Sequence, residues 1–436
     1  MATVTENLPL QPTKELSPEL EATVADLPSG PQVPLDGGLA AWLSVIGGWL
    51  VMFCSFGYVN SFGVFQAYYT VHHTGTSSDI SWIGSLQLFL TFLVGLPSGK
   101  LLDAGHFRAS LLFGSTLLVF SLFMLSLAHP GKYYQLILAQ GVAMGLGSGF
   151  LLVPAQSVQA HHWRKRRSMA MGIVATGAGA GGLIYPILLN RLINGSVGFA
   201  WGVRASAFLT LGLLVVANCI MTTRPTNTPG QTASKFRTQI KVIFTDTAYL
   251  FIAVGYFLTF IGMYYPYFYI QLWTNAHGLS STLAFYTVAI LNASSIFGRT
   301  MLNAVAAEVG LFNLLVPVNA VLGVLVFAMF GVTSTAAVIV FCILYGFFTG
   351  AFLSLSPPAL VGLANSPDEV GLRLGVSYFI ASFAFLIGTP INGALLGPDY
   401  HWYRPTVFSA VLLLAGALTT SIARAVYARR KGTQRV

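Results

Sequence analysis

The sequence predicts an all-α integral membrane protein of twelve transmembrane helices, arranged as two six-helix, pseudo-symmetric bundles. Three observations predict it. Of the 436 residues, 55% are hydrophobic and only 8% charged, against roughly 25% charged in soluble proteins. Apolar runs recur from Ala40 to Val426, each near the ~20 residues needed to cross a hydrocarbon core. Basic residues gather in alternate connections between those runs, which is how membrane topology is encoded. A membrane barrel would instead show weakly alternating segments of about ten residues.

Taken in order, the apolar runs place helices over 40–66, 80–102, 109–129, 133–157, 168–190 and 200–222. A second set covers 248–272, 281–303, 311–331, 335–360, 371–396 and 403–427. The domain reading is therefore a bundle over 40–222, a polar linker over 223–247 and a second bundle over 248–427. Residues 1–39 are expected to be a disordered cytosolic tail, since they are polar, acidic and Pro-containing. They lack the basic stretch and apolar core of a cleaved signal. Residues 428–436 form a short basic tail.

Orientation follows from Lys and Arg. With the N-terminus inside, the cytosolic segments collect 17 of the 22 basic residues, among them Lys100, Arg108 and the run Arg164 to Arg167. The outer loops hold only Lys132, Arg191, Arg204 and Arg404. Both termini are thus expected in the cytosol, with the plasma membrane as default and the vacuolar membrane as alternative.

The halves carry faint internal similarity. The fifth helix opens with Arg167-Ser-Met-Ala-Met-Gly172 and reaches Tyr185-Pro186, while the eleventh opens with Arg373-Leu-Gly375 and reaches Thr389-Pro390. Repeated halves with a solute site at their interface are the build of secondary transporters. Channels more often assemble one pore from identical subunits, so duplication favours a carrier working as a monomer on a small-molecule solute.

Other function classes are excluded by pattern. The net charge of +9 lies in loops, as topology requires, and not in a nucleic-acid-binding face. Cys54, Cys219 and Cys342 lie within apolar runs and form neither a disulfide framework nor a metal site. No cofactor or metal is expected. There is no nucleophile–base arrangement for an enzyme and no phosphate loop for ATP-driven transport. A non-transporting nutrient sensor is expected to carry a long cytosolic extension, which neither end resembles. Membrane lipid is the expected surrounding, and the run Arg164 to Arg167 could attract its anionic headgroups, although topology alone explains it.

Between the second and third helices runs Gly99-Lys-Leu-Leu-Asp103-Ala-Gly105-His-Phe-Arg108. This resembles the signature loop of the major facilitator superfamily. Physically it reads as a gate latch: Asp103 accepts hydrogen bonds from a neighbouring helix end, Arg108 pairs across the loop and Gly99 allows close helix approach. An ordinary tight loop is the plainer alternative.

A sharper resemblance lies in two further motifs. Leu35-Asp36-Gly37-Gly38-Leu-Ala-Ala-Trp42 opens the first helix and Tyr58-Val-Asn-Ser-Phe-Gly-Val-Phe65 closes it. The fifth helix enters through Trp163-Arg-Lys-Arg-Arg167-Ser-Met-Ala-Met-Gly172. These look like the paired motifs of the monocarboxylate porter family, especially its fungal branch. The resemblance implies the major facilitator fold and transport of organic acids or related metabolites, often proton-linked. It places Arg299 at the helix-eight arginine that engages the substrate carboxylate. It also marks two departures: Asn60 stands where the family has a lysine, and Ser295 where it has an aspartate.

Arg299 is the one charge this reading buries inside a span, and an intramembrane charge is by default a functional site. The alternative is an arginine snorkelling to the helix end near Glu308. No acidic residue lies within any span, so no buried proton relay is visible, and Asp36 is the nearest candidate. Further solute-site candidates are Tyr58, Asn60, Phe62, Tyr185, Tyr265, Asn292 and Tyr378, aromatic or polar tips that suit a flat, larger ligand. Tyr256, Tyr264, Tyr265, Tyr267 and Tyr269 cluster around Pro266, though tyrosines at helix ends also form interfacial belts. Gating candidates are Asp36, Asp103, Arg108, Arg167, Gly172 and Pro186, the last as a hinge. Asn194-Gly-Ser196 is a glycosylation sequon on an outer loop. The resulting expectation is a carrier that exports an organic acid or a carboxylate-bearing or aromatic specialised metabolite, with uptake of a monocarboxylate or vitamin-like nutrient as the alternative.

Overall fold

The computed structural model describes residues 37–72, 74, 77–223, 240–364, 369–397 and 399–436. Residues 1–36 of the expected tail, Asp36 among them, and linker residues 224–239 lie outside the described residues, and Leu39, expected in the tail, begins the first helix. Among the described residues, twelve helices are long and apolar enough to cross a membrane. They are α1 (Leu39–Val71), α2 (Asp79–Leu102), α3 (Phe107–Leu127), α4 (Tyr133–His162), α5 (Arg167–Ile193) and α6 (Gly198–Ile220). Then follow α7 (Thr247–Ala276), α8 (Ser281–Val309), α9 (Leu311–Gly331), α10 (Thr335–Gly362), α11 (Val370–Leu396) and α12 (Tyr403–Lys431). No strand occurs among the described residues. The chain is a multi-pass integral membrane protein.

The spans fall where the apolar runs place them, but several run longer. Helix α8 ends at Val309 and not near residue 303, because helical backbone continues through the amphipathic stretch Asn303 to Val309. Hydropathy marks where lipid ends, not where helix ends. The helix stops at Gly310, whose φ of 101° is a conformation glycine adopts without steric penalty. Large apolar side chains such as Phe120, Phe208, Phe297 and Leu418 are exposed on the outside. Such a surface belongs in lipid.

Irregularities are concentrated on a few helices. Helix α1 breaks at Ser55 and again at Asn60 and Ser61, α4 contains a π-helical turn over Ile137–Ala143, and α7 breaks at Tyr264 before Pro266. Single π-helical turns often accompany functional sites. Pro186 sits inside α5 without ending it. Neighbouring helices can satisfy the backbone groups that such breaks release.

Within the first six helices, α1 packs on α5 and α6, and α3 on α4 and α6. Within the last six, α7 packs on α11 and α12, α9 on α12, and α8 on α10. The two sets meet mainly along α5–α8 and α2–α11. Adding six to each helix number of the second pair, modulo twelve, gives the first pair. That is the relation expected of duplicated halves.

Both seams are built on small residues. A Cβ on Gly172 of α5 would lie 2.9 Å from the Arg299 carbonyl oxygen and from the Asn303 side chain of α8. A Cβ on Gly99 of α2 would collide with the Gly371 carbonyl of α11. Close approach of this kind is how helices associate in lipid, where burial of apolar surface contributes little.

Candidate functional site

Between the two sets lies a cavity lined by Met52 and Phe56 of α1, Phe92 of α2, and Leu152 and Gln156 of α4. From the second set it is lined by Tyr256 and Phe260 of α7, Arg299 of α8, Leu353, Ser356 and Pro357 of α10, and Tyr378 of α11. Its free volume is about 30 Å³, room for a water molecule or two. A site holding a small organic molecule spans roughly 300–1,000 Å³. The helices are therefore closed around the cavity in this conformation.

Arg299 is its only charged lining residue. The side chain is 3% exposed, so it does not snorkel to the end of α8. One terminal nitrogen donates to the Ala175 carbonyl of α5 over 2.7 Å. The Nε proton has no acceptor, and no carboxylate pairs with Arg299 among the described residues. A buried cation without an anion is costly unless something else supplies the charge. The remaining polar atoms are sparse. Tyr378 donates to Gln156 Oε1 over 2.6 Å, and Tyr256 to the Ser356 carbonyl over 3.2 Å. The walls are aromatic: Phe92 meets Tyr378 edge to face, and Phe260 meets Tyr256 in the same way.

Beneath Arg299, toward the end bearing the run Arg164 to Arg167, Asn303 ties three helices together. Its Nδ2 donates to the Arg299 carbonyl over 2.8 Å and to Ser354 Oγ of α10 over 2.7 Å. Its Oδ1 accepts from Ser168 Oγ of α5 over 2.7 Å. This closes the α5–α8 seam at the basic end. At the other end the same helices part around a groove of about 500 Å³, lined by Asn190, Arg191, Asn194, Ser281 and Phe285, among others.

Of the residues singled out in the sequence, Arg299, Tyr378 and Tyr256 line the cavity, the last from the tyrosine cluster of α7. Asn60 and Asn292 approach each other beside it, on either side of Gly182, where a Cβ would lie 2.8 Å from Asn292 Oδ1 and 3.1 Å from Asn60 Cβ. Four others sit elsewhere. Tyr58 bonds Ser206 at 3.0 Å and Tyr185 bonds Thr210 at 2.7 Å, their rings 4.7 Å apart in the core formed with α6. Phe62 packs over Gly84 of α2. Tyr265 bonds Thr406 of α12 at 2.9 Å. Each hydroxyl finds a partner within its own set of helices.

The gating candidates are also scattered. Arg108 donates to the Asn218 carbonyl of α6 and so ties α3 to α6, not the two sides of its own loop. Arg167 begins α5 and is half-buried, Gly172 packs on Arg299 and Asn303, and Pro186 is buried within α5. Asp103 directly follows α2 and is the last residue of the helical stretch Gly95–Asp103; its side chain, like Asp36, lies outside what the structure describes. Asn194 is exposed and donates to Asn190 Oδ1 over 2.7 Å.

One expectation needs correction. Arg299 is not the only buried charge: Arg373, at the start of α11, is fully buried. It bonds Asp246, the N-cap of α7, at 3.0 Å and Glu369 at 3.3 Å, while Arg430 of α12 reaches Asp246 at 3.4 Å. Helix-end position in the sequence concealed this burial. The pairing sets it apart from Arg299. Gln156, Ser356 and Asn303 were not among the residues singled out in the sequence. Gln156 follows Pro154 of α4 by two positions, and nothing in the sequence set it apart from Gln140 and Gln159 of the same span.

Comparison with known proteins adds the following. The family model for the Major Facilitator Superfamily matches residues 48–366. The chain is 39% identical over 387 residues to the aspyridones efflux protein apdF of Emericella nidulans, covering 88% of this chain and 77% of that one. It is 39% identical over 414 residues to the MFS-type transporter dbaD of the same organism, covering 93% and 91%. It is 39% identical over 389 residues to the agnestins efflux protein AgnL12 of Paecilomyces divaricatus, covering 88% and 87%.

Proposed function

The chain belongs to the Major Facilitator Superfamily and is a secondary transporter of small organic solutes, and from that premise we propose that it exports an anionic, aromatic specialised metabolite. The observation that carries the proposal is Arg299, a buried cation without a carboxylate partner among the described residues, facing a closed cavity of aromatic rings and a few polar tips. A solute bearing a carboxylate or an acidic enol supplies the missing charge, and its rings take the apolar walls. The solute's own charge offsets the cost of burying the arginine.

Export is supported by relatives named as efflux proteins. Within the superfamily we place the chain in the monocarboxylate porter branch, on its first- and fifth-helix motifs. Asn60 and Ser295 stand in place of that branch's lysine and aspartate, so we expect no lactate-like proton symport. The two bundles, 40–222 and 248–427, are taken as the bodies that rock about the α5–α8 and α2–α11 seams, with the solute at their interface. Asn303 with Ser168, and Gly99 with Gly371, close the basic end. We place that end and both termini in the cytosol, and the protein in the plasma membrane as a monomer.

The test is transport by purified protein in liposomes against the culture metabolites of the organism that carries the gene. Export of one anionic aromatic compound, abolished by Arg299→Ala, supports the reading. Movement of a small monocarboxylate that is indifferent to that compound would turn it toward nutrient uptake.

A further inference from the structure

We propose that Ser168 is a phosphorylation site whose occupancy holds the basic end of the α5–α8 seam open. The proposal rests on the reading of that end as cytosolic. Ser168 follows Lys165-Arg166-Arg167 directly. Basic residues two and three positions before a serine are what a basophilic protein kinase, with its acidic cleft, recognises. Arg164, Lys165 and Arg166 are exposed on the connection between α4 and α5, and Ser168 is half-buried in the first turn of α5.

The geometry gives the modification a consequence. Ser168 Oγ donates its proton to Asn303 Oδ1 over 2.7 Å. Asn303 cannot turn its amide to accommodate a change there, because its Nδ2 is held by the Arg299 carbonyl and by Ser354 Oγ. In the transfer, Ser168 Oγ attacks the γ-phosphorus of ATP and a new O–P bond forms. The bond to the β,γ-bridging oxygen breaks, ADP leaves, and the hydroxyl proton passes to a kinase base. The product oxygen has no proton to donate. It carries a group of about −1.5 to −2 charge directly opposite the acceptor oxygen of Asn303.

Reclosing the seam would push that group against an amide oxygen and Gly172's close contact. Leaving it open places the phosphate in water at the N-terminus of α5, where no side chain caps the helix and the dipole favours an anion. Ser168 is reachable only when Asn303 releases it. The kinase therefore acts on the form open at the basic end and prevents its return, which arrests transport.

The experiment uses the full chain in lipid nanodiscs, with Mg-ATP and the catalytic subunit of a basophilic serine/threonine kinase. Spin labels at Arg164→Cys and Val309→Cys, in a background without Cys54, Cys219 and Cys342, read the distance across the seam. Phosphate found on Ser168 by mass spectrometry, with a lengthened distance, supports the proposal. Ser168→Glu, which places a negative charge at the same position, should lengthen it likewise with loss of transport. Ser168→Ala, which loses one hydrogen bond but adds no charge, should shift both much less. Absence of phosphate on Ser168, or phosphate with the distance unchanged, overturns it. In intact cells, labelling of Arg164→Cys by a membrane-impermeant thiol reagent separates the cases: modification from outside means that the topological reading has failed instead.

Discussion

The hydroxyl of Tyr378 on α11 donates to Oε1 of Gln156 on α4 over 2.6 Å, joining the two sets of helices across the cavity wall. Both residues line the site, so the bond both holds the cavity closed and presents its partners to a solute. Tyr378→Phe removes one buried bond, worth about 0.5–1.5 kcal/mol. We expect transport to change about two- to tenfold. Gln156→Ala added to that variant should cost little more than either change alone. A double-mutant cycle on transport rates checks this, and strict additivity would separate the two residues functionally.

Arg299→Ala should abolish transport while leaving the protein as stable as before, or more so. The side chain has no carboxylate partner among the described residues, so its removal strands no opposite charge. Thermal unfolding in detergent and transport by the same preparation are the paired measurements. A large loss of stability would show that the arginine is structural.

Arg373 gives the opposite expectation. It is fully buried and paired with Asp246 and Glu369. Asp246→Ala removes the N-cap of α7 and one anion from a buried cluster that also holds Arg430. Breaking such a pair costs about 3–5 kcal/mol, so thermal unfolding should drop sharply. Arg299→Ala and Asp246→Ala thus distinguish a cation kept for a ligand from one kept for the fold.

Gly172→Val should block closure of the basic end. Its Cβ would fall 2.9 Å from the Arg299 carbonyl and the Asn303 side chain, closer than packed atoms come. The variant should reach the membrane at normal levels yet show a thiol at Ser354→Cys reactive from the basic side. Protection of that thiol would place the gate elsewhere.

The helices were legible because lipid imposes one solution on the backbone, and apolar length reports it directly. Their ends were less so: α8 runs six residues past the expected 303 because amphipathic residues such as Asn303 and Glu308 remain helical beyond the apolar run. Arg299 stood out as a charge in a span. Arg373 did not, since burial at a helix end depends on which neighbours supply Asp246 and Glu369. The tyrosines show the same limit. Tyr58 and Tyr265 share the chemistry of Tyr378, but helix rotation turns them toward Ser206 and Thr406, and rotation is set by packing between helices. Gln156 went unseen beside the more conspicuous Pro154.

The central claim, that Arg299 binds an exported anionic metabolite, is tested most directly by metabolite profiling. Cells with the gene deleted would be compared with cells carrying Arg299→Ala. The account predicts that one anionic aromatic compound builds up inside both strains and falls in their medium. No build-up, with loss of growth on a particular carboxylate, would contradict export and make the protein a nutrient carrier.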